Sequence, residues 1–320
     1  MKVPKRSVAR AAQQESIAGP DSTRPEPAAA RAQAAAVEVA TTVARPRVSR
    51  RLTRPDKDCD REGLLKGKKA LVFGVANDHS IAWGIAKALY DQGADVGFSS
   101  MASLIKRRVR PLAASIGSTF VEGADVRDDE EIRKVFEHWH RREGDLDILV
   151  HAVAFAERED LDGHFTDISR SGFHTAFDIS VYSLIAMARE ARPYMKPGAS
   201  IMTMTYYAAE KVVPNYNVMG VAKAALEATT RYLAADLGPS GIRVNAISAG
   251  PVRTLSAHGI AGFRTMYGAF KDLTPLRSHI SIEDVGNTAV YLASPLSSQT
   301  TGEVIYVDGG FNILAMPVAE

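Results

Sequence analysis

Cysteine is almost missing from this chain: Cys59 is the only one among 320 residues. No intrachain disulfide can form, so stability must come from a packed core, and a reducing compartment fits. No uninterrupted apolar run reaches the ~18 to 20 residues that a membrane helix needs, which excludes a spanning segment from the expectations. An excess of either charge is also missing, since 39 Lys/Arg stand against 37 Asp/Glu for a net charge of +2. The small excess is concentrated at one end. Before Gly63 stand 13 Lys/Arg against 8 Asp/Glu, which leaves the remainder near −3. A mildly acidic remainder argues against a nucleic-acid surface on the fold itself.

Aromatic residues are absent from Met1 to Glu62. That stretch holds Ala28-Ala29-Ala30, Ala34-Ala35-Ala36, scattered prolines and arginines, and no periodic apolar face. Such a segment buries too little apolar surface to offset its ordering entropy. Residues 1–62 are therefore expected to be a disordered extension. An organelle transit peptide, a nucleic-acid-binding tail and a translation-start artefact are the other readings. Residues 63–320 are expected to form a single domain.

What the remainder has is regular alternation. Ala70-Leu71-Val72-Phe73 is a buried strand ending at Gly74. Residues 81–92 have helical periodicity, stopped by Gly93. Strands follow at 95–99, 119–122 and 146–153, with helices at 103–116 and 128–141. Two longer units pair a helix at 172–194 with a strand at 199–204, and a helix at 218–237 with a strand at 243–247. The last helix begins near Ser281 and the last strand is Val304-Ile305-Tyr306-Val307. This β-α order predicts an α/β fold: a doubly wound parallel sheet of the Rossmann type, in three αβα layers. No internal repeat is apparent.

The first strand runs into Gly74-Val75-Ala76 and then Ser80-Ile81-Ala82. A small-residue loop between strand and helix lets a pyrophosphate approach backbone N–H groups at a helix N-terminus. The spacing is not G-x-G-x-x-G, so these residues equally suit a plain strand-to-helix turn. The second strand ends in Ser99-Ser100-Met101, with no carboxylate for an adenosine ribose; Asp95 stands at the opposite end. Lys106, Arg107 and Arg108 follow, as partners of a 2′-phosphate or, more simply, as a solvated basic helix face. Asp125-Val126 is placed to border an adenine, and Asp125 equally suits an N-cap of the next helix.

Tyr216 and Lys223 stand seven positions apart, close to two helical turns, so both are expected on one face of one helix. An ammonium beside a phenol is expected to draw the tyrosine below its ordinary value of about 10.

Together these residues resemble the bacterial enoyl-acyl-carrier-protein reductases of the short-chain dehydrogenase/reductase superfamily, from about Leu64 to Met316. The resemblance rests on the Gly74 to Ala82 loop, on a Tyr-six-residues-Lys spacing, and on Pro214 to Gly220. It rests also on Arg243-Val244-Asn245-Ala246-Ile247-Ser248-Ala249-Gly250-Pro251, Thr254-Leu255, Gly259-Ile260 and Val307-Asp308-Gly309-Gly310-Phe311. Met219 occupies the position at which the commoner Tyr-three-residues-Lys spacing would need its tyrosine.

The resemblance implies catalytic roles for Tyr206, Tyr216 and Lys223. Tyr216 would meet the thioester carbonyl, and Lys223 would hold the nicotinamide ribose. It implies a cofactor site of Gly74, Ser80, Ile81, Met101, Asp125, Val126, Ala152, Lys223, Val252 and Thr254, with NADH preferred over NADPH. It implies a substrate site of Ala154, Phe155, Ala156, Tyr206, Tyr216, Met219, Ser256, Ile260 and Phe263, with Ser256 to Met266 as a mobile loop over the acyl chain; that stretch equally suits an ordinary surface helix. No metal site is implied. Acyl carrier protein bearing the enoyl substrate is the implied partner, in a cytoplasmic homotetramer that contacts neither nucleic acid nor membrane. Ala152, Ala154, Ala208 and Met101 depart from the family pattern, which bears on cofactor, chain-length and inhibitor preference. The alternatives are a carbonyl-directed member of the same superfamily and a catalytically silent cofactor-binding paralogue.

Overall fold

The computed structural model describes residues 63–315, except for the side chains of Ser256 and His258. The extension expected at 1–62 lies outside the described residues. Seven strands form one sheet: β1 (Lys69–Phe73), β2 (Asp95–Ser100), β3 (Val121–Gly123), β4 (Leu146–His151), β5 (Met195–Thr205), β6 (Arg243–Ala249) and β7 (Val304–Val307). Their order is β3-β2-β1-β4-β5-β6-β7, and every pairing is parallel. The helices are α1 (Ile81–Asp91), α2, α3 (Asp129–Glu143), α4, α5 (Asn217–Leu237), α6 (Phe263–Phe270) and α7 (Ile282–Ala293). Two of these are composite. α2 joins Ala102–Leu104 and Arg110–Ser115 through a π turn at Ile105–Val109; α4 joins Arg170–Phe177 and Ser183–Ala191 through another at Asp178–Tyr182.

Strand side chains alternate between the two faces of a sheet, and this splits the apolar residues into two cores. Ala70, Val72, Ile148, Val150 and Met202 face one core, filled by Ile85 and Leu89 of α1 and Val285 and Leu292 of α7. Leu71, Phe73, Leu149, Ile201 and Val244 face the other, filled by Ile132 and Trp139 of α3, Leu184 and Met187 of α4, and Leu226 of α5. Near-continuous apolar strands are the mark of a sheet covered on both sides.

On the first face α1 and α7 approach closely because Gly84 and Gly286 carry no side chain. A Cβ on Gly84 would lie 2.5 Å from the Ile282 carbonyl oxygen, and one on Gly286 would lie 2.7 Å from that of Gly84. The helix starts follow local chemistry. Asp128 caps α3 by accepting from Glu130 and Glu131 N–H, and Ser281 with Asp284 forms a reciprocal capping box on α7. The strand order reverses between β1 and β4, so the crevice of a doubly wound sheet opens there, outside the carboxyl ends of the strands.

Candidate active site

Gly74 follows β1 at this switch point, with φ of +98°. A Cβ there would sit 2.1 Å from the carbonyl oxygen of Ala152, which follows β4. Only glycine combines that backbone conformation with that approach. Ser100 Oγ donates to the Val75 carbonyl at 3.0 Å and ties the loop to the end of β2. The loop leads into α1, whose N-cap Ser80 makes no capping bond; its hydroxyl donates to Asn77 O instead. The first-turn N–H groups of Ile81 and Ala82 have no partner among the described residues. Free donors at a helix N-terminus beside a side-chain-free loop fit a pyrophosphate.

Met101 follows β2, while Asp125 and Val126 follow β3 through Ala124, whose N–H donates to Ser100 O. Tyr206 follows β5. From β2 to β5 are three strand spacings, about 14 Å at ~4.8 Å each, which suits an extended dinucleotide with adenosine at Met101 and nicotinamide near Tyr206. Two expectations for Asp125 need correction or refinement. The N-cap of α3 is Asp128, not Asp125. The Asp125 carboxylate is engaged by the Arg127 guanidinium and backbone N–H, and that hydrogen bonding holds its pKa below the ordinary carboxylate value. Lys106, Arg107 and Arg108 lie exposed on the π turn of α2, without ion pairs among the described residues.

Tyr206 and Tyr216 are brought into contact, and Lys223 is tied to the backbone of β5 two residues before Tyr206. The Tyr206 and Tyr216 rings meet edge to face, with centroids 5.1 Å apart. Lys223 is 5% exposed, and its Nζ donates to the Met204 carbonyl at 2.8 Å. An ammonium has three donors, so two remain for a ribose diol. Burial pulls Lys223 down to about 8, against an opposing pull from Glu227.

The geometry corrects one expectation for Tyr216, the direction of its pKa. Tyr216 is the N-cap of α5, which begins at Asn217. Its flanks Asn215 (φ +61°) and Asn217 (φ +26°) are both in the left-handed region. Its phenol is not drawn down by Lys223. Loss of water, and then the neighbouring Tyr206, push it well above the ordinary tyrosine value, and burial pushes Tyr206 up to about 12. Desolvation disfavours the charged form of each group, so Tyr216 is a protonated donor throughout the neutral range.

Two segments flank the tyrosines. Beyond β6, Val252 is buried, and the Thr254 hydroxyl accepts from Ala257 N–H at the start of the turn Ser256–Gly259. Ile260 closes that turn and Phe263, which is buried, opens α6. The Tyr206 hydroxyl contacts Met266 Sδ of α6 at 3.8 Å, and Asn215 Nδ2 donates to Ala261 O at 3.0 Å. The Ser256 side chain lies outside the described residues. The segment 256–266, expected as a loop over the acyl chain or a surface helix, is a short turn leading into a helix. On the other flank, Phe155 and Ala154 are exposed and Ala156 is half-buried. Asn217 Nδ2 donates to the carbonyls of Asp162 and Gly163. Met219 is buried beneath, joined to Phe155 by Ser180, whose hydroxyl accepts from Phe155 N–H and contacts Met219 Sδ at 3.8 Å.

Ser180 escaped the sequence reading, because nothing in a helical serine announces its partners. So did the use of His151. That residue ends β4, fully buried, with Nδ1 2.8 Å from Thr203 Oγ1 and Nε2 2.8 Å from Ser183 Oγ. Ser183 gives its only proton to Ile179 O. Nε2 must therefore donate and Nδ1 accept, which assigns the tautomer. Burial, then the charge of Lys223, pushes His151 down to about 3, so it stays neutral.

With this geometry in place, likeness to known proteins is extensive. The profile of the family described as "Enoyl-(Acyl carrier protein) reductase" matches residues 74–312. The enoyl-[acyl-carrier-protein] reductase [NADH] 1 of Rhizobium meliloti (strain 1021) is 50% identical over 258 residues, covering 81% of this chain and 95% of that one. The crystal structure of the NADH reductase from Aquifex aeolicus VF5 matches with a TM-score of 0.77 at 49% identity, covering 79% of this chain and 100% of that chain. The Anaplasma phagocytophilum reductase solved in complex with NAD gives 0.78 at 48% identity, covering 81% and 99%. The fold, the paired tyrosines with their buried lysine, and these matches lead to one conclusion: the chain belongs to the enoyl-acyl-carrier-protein reductase family.

Proposed function

We propose that the chain reduces trans-2-enoyl thioesters carried on acyl carrier protein to saturated acyl thioesters with NADH, the last step of the fatty-acid elongation cycle. The observation that carries this reading is the Tyr206–Tyr216 contact beside buried Lys223, at the carboxyl edge of the sheet. Gly74, Ser80, Ile81 and Ala152 cradle the pyrophosphate side, Met101, Asp125 and Val126 the adenosine, and Val252, Thr254 and Lys223 the nicotinamide side. NADH supplies the hydride when bound.

The chain's own task is to stabilise the negative charge that develops on the thioester oxygen. Tyr216, kept protonated by its surroundings, donates a hydrogen bond to that oxygen. One preorganised donor of this kind is worth about 2.7–4 kcal/mol in other enzymes. Tyr206 braces the Tyr216 ring edge-on, a contact worth ~0.5–1.5 kcal/mol beyond burial. Lys223 orients the ribose and adds positive field. Ala154, Phe155, Ala156, Met219, Ile260, Phe263 and Ser256 border the acyl chain, with α6 above it.

NADH is favoured because no base directly follows β2. Met101 is exposed there, and Lys106, Arg107 and Arg108 stand further along α2. Residues 63–320 form the reductase domain and residues 1–62 a dispensable extension. The assembly is a homotetramer in the cytoplasm. Phe173, Tyr182 and Ile185 of α4 and Val221 and Tyr232 of α5 are exposed large apolar residues, the kind of surface that subunits cover. Among the described residues no helix is long and apolar enough to cross a membrane.

The test is to follow NADH oxidation with a trans-2-enoyl thioester, and NAD reduction with simple alcohols. Turnover of the first alone is expected. Protein that binds NADH yet turns over no enoyl thioester contradicts the proposal and leaves the silent paralogue.

A further inference from the structure

Glu227 is a buried carboxylate that the mechanism above leaves without a task. It lies on α5 one turn beyond Lys223 and is 7% exposed. Residues four apart share one face of a helix. The Thr205 hydroxyl, itself buried, donates to Glu227 Oε1 at 2.7 Å. One residue earlier in β5, the Met204 carbonyl accepts from Lys223 Nζ at 2.8 Å. Consecutive residues at the end of β5 therefore grip two residues of α5 one turn apart. The next residue along the chain is Tyr206, and Tyr216 caps the same helix. Any slip between β5 and α5 would change the spacing of both tyrosines and the lysine together.

We propose that Glu227 is a positioning residue: pinned by Thr205, it fixes the register of α5 against β5 and thereby holds Lys223 where the cofactor ribose is bound. This rests on the reading of Lys223 given above.

The charge of Glu227 adds a second effect. Burial works against the Lys223 ammonium, and Glu227 is the group that works for it. Glu227 is itself pushed up by burial and by Glu210, which follows the turn after β5, and drawn down by the Thr205 bond and by Arg231 and Lys223 of its own helix. Tyr306 of β7, which bonds Glu210, also feels the charge of Glu227, and His151 of β4, which stays neutral, feels that of Lys223.

Three variants separate the pin from the charge: Glu227→Gln keeps an acceptor for Thr205 and removes the charge, Thr205→Val removes the pin and keeps the charge, and Thr205→Ser restores the pin. The readout is NADH affinity by fluorescence titration from about pH 6.5 to 9, around the ordinary values of His and a depressed Lys, with kcat and KM for the enoyl substrate measured alongside. Thr205→Val is expected to weaken NADH binding about tenfold, the equivalent of one lost hydrogen bond at ~1.4 kcal/mol, at every pH, with Thr205→Ser close to wild type. Glu227→Gln is expected to bind NADH normally at the acid end and to lose affinity at a lower pH than wild type. A Glu227→Gln profile that superimposes on wild type, with Thr205→Val equal to Thr205→Ser, overturns the proposal. Binding is read without substrate. Wild type that binds NADH but reduces no enoyl thioester therefore contradicts the function and still tests Glu227.

Discussion

Replacing Lys223 by methionine gives the most quantitative test of the site's electrostatics. The side chain is buried, and its ammonium is held at about 8 rather than 10.5. That gap corresponds to about 3 kcal/mol, at ~1.36 kcal/mol for each tenfold change in proton affinity. The sign follows from proton counting. Between pH 8 and 10.5 the unfolded chain still binds the Lys223 proton while the folded chain releases it. Stability rises with pH wherever the unfolded state binds more protons. Wild type is therefore handicapped below pH 8 and recovers as the pH climbs through that window. Lys223→Met lacks the titrating group. Urea unfolding followed by the fluorescence of Trp83 and Trp139 would give both stabilities from pH 7 to 10.5. The wild-type-minus-variant difference should shift in favour of wild type by about 3 kcal/mol across the window, and NADH should bind the variant more weakly at pH 7. Parallel curves for the two proteins would refute the buried, depressed ammonium.

Other perturbations follow from the same geometry. Tyr216→Phe should lower kcat roughly 10²–10³-fold, as loss of one preorganised donor does elsewhere, with NADH affinity unchanged; a variant of undiminished kcat would remove Tyr216 from the chemistry. Gly74→Ala should cost more than about 1 kcal/mol of stability and abolish NADH binding, because its Cβ would strike the Ala152 carbonyl; calorimetry and fluorescence titration check both. A chain beginning at Gly63 should keep the melting temperature and turnover of the whole, and light scattering should give the mass of four chains. A lower melting temperature, or a mass of one chain, would count against those readings.

Much of this was legible in the residues, and the misses share one cause. α1, β2, α3, α5, β7 and the Ser281 cap carry local periodicity or capping chemistry that decides them. β3 is expected at 119–122 and forms at Val121–Gly123 because an edge strand takes its register from its one partner, β2. β5 is expected at 199–204 and extends back to Met195 because Met195 pairs with Leu146 of β4 across a register shift and Gly198 N–H donates to Gly241 O, partners distant in sequence. The Tyr216 phenol shows the same limit. Lys223 at seven residues is visible in sequence and suggests a lowered pKa, whereas the burial that raises it exists only after folding. Glu227 is visible as a neighbour of Lys223, but Thr205 reaches it from β5, a separate element. The family resemblance located Tyr206, Tyr216 and Lys223; the direction of their proton affinities needed the packed structure.

The central claim is that this site adds two hydrogens across an enoyl thioester. Mass spectrometry of acyl carrier protein bearing a trans-2-enoyl chain, incubated with enzyme and NADH, tests it without relying on cofactor absorbance. The account predicts that the carried chain gains two hydrogens, rapidly with wild type and at least about a hundredfold more slowly with Tyr216→Phe. An unchanged chain in the presence of wild-type enzyme with bound NADH would contradict it.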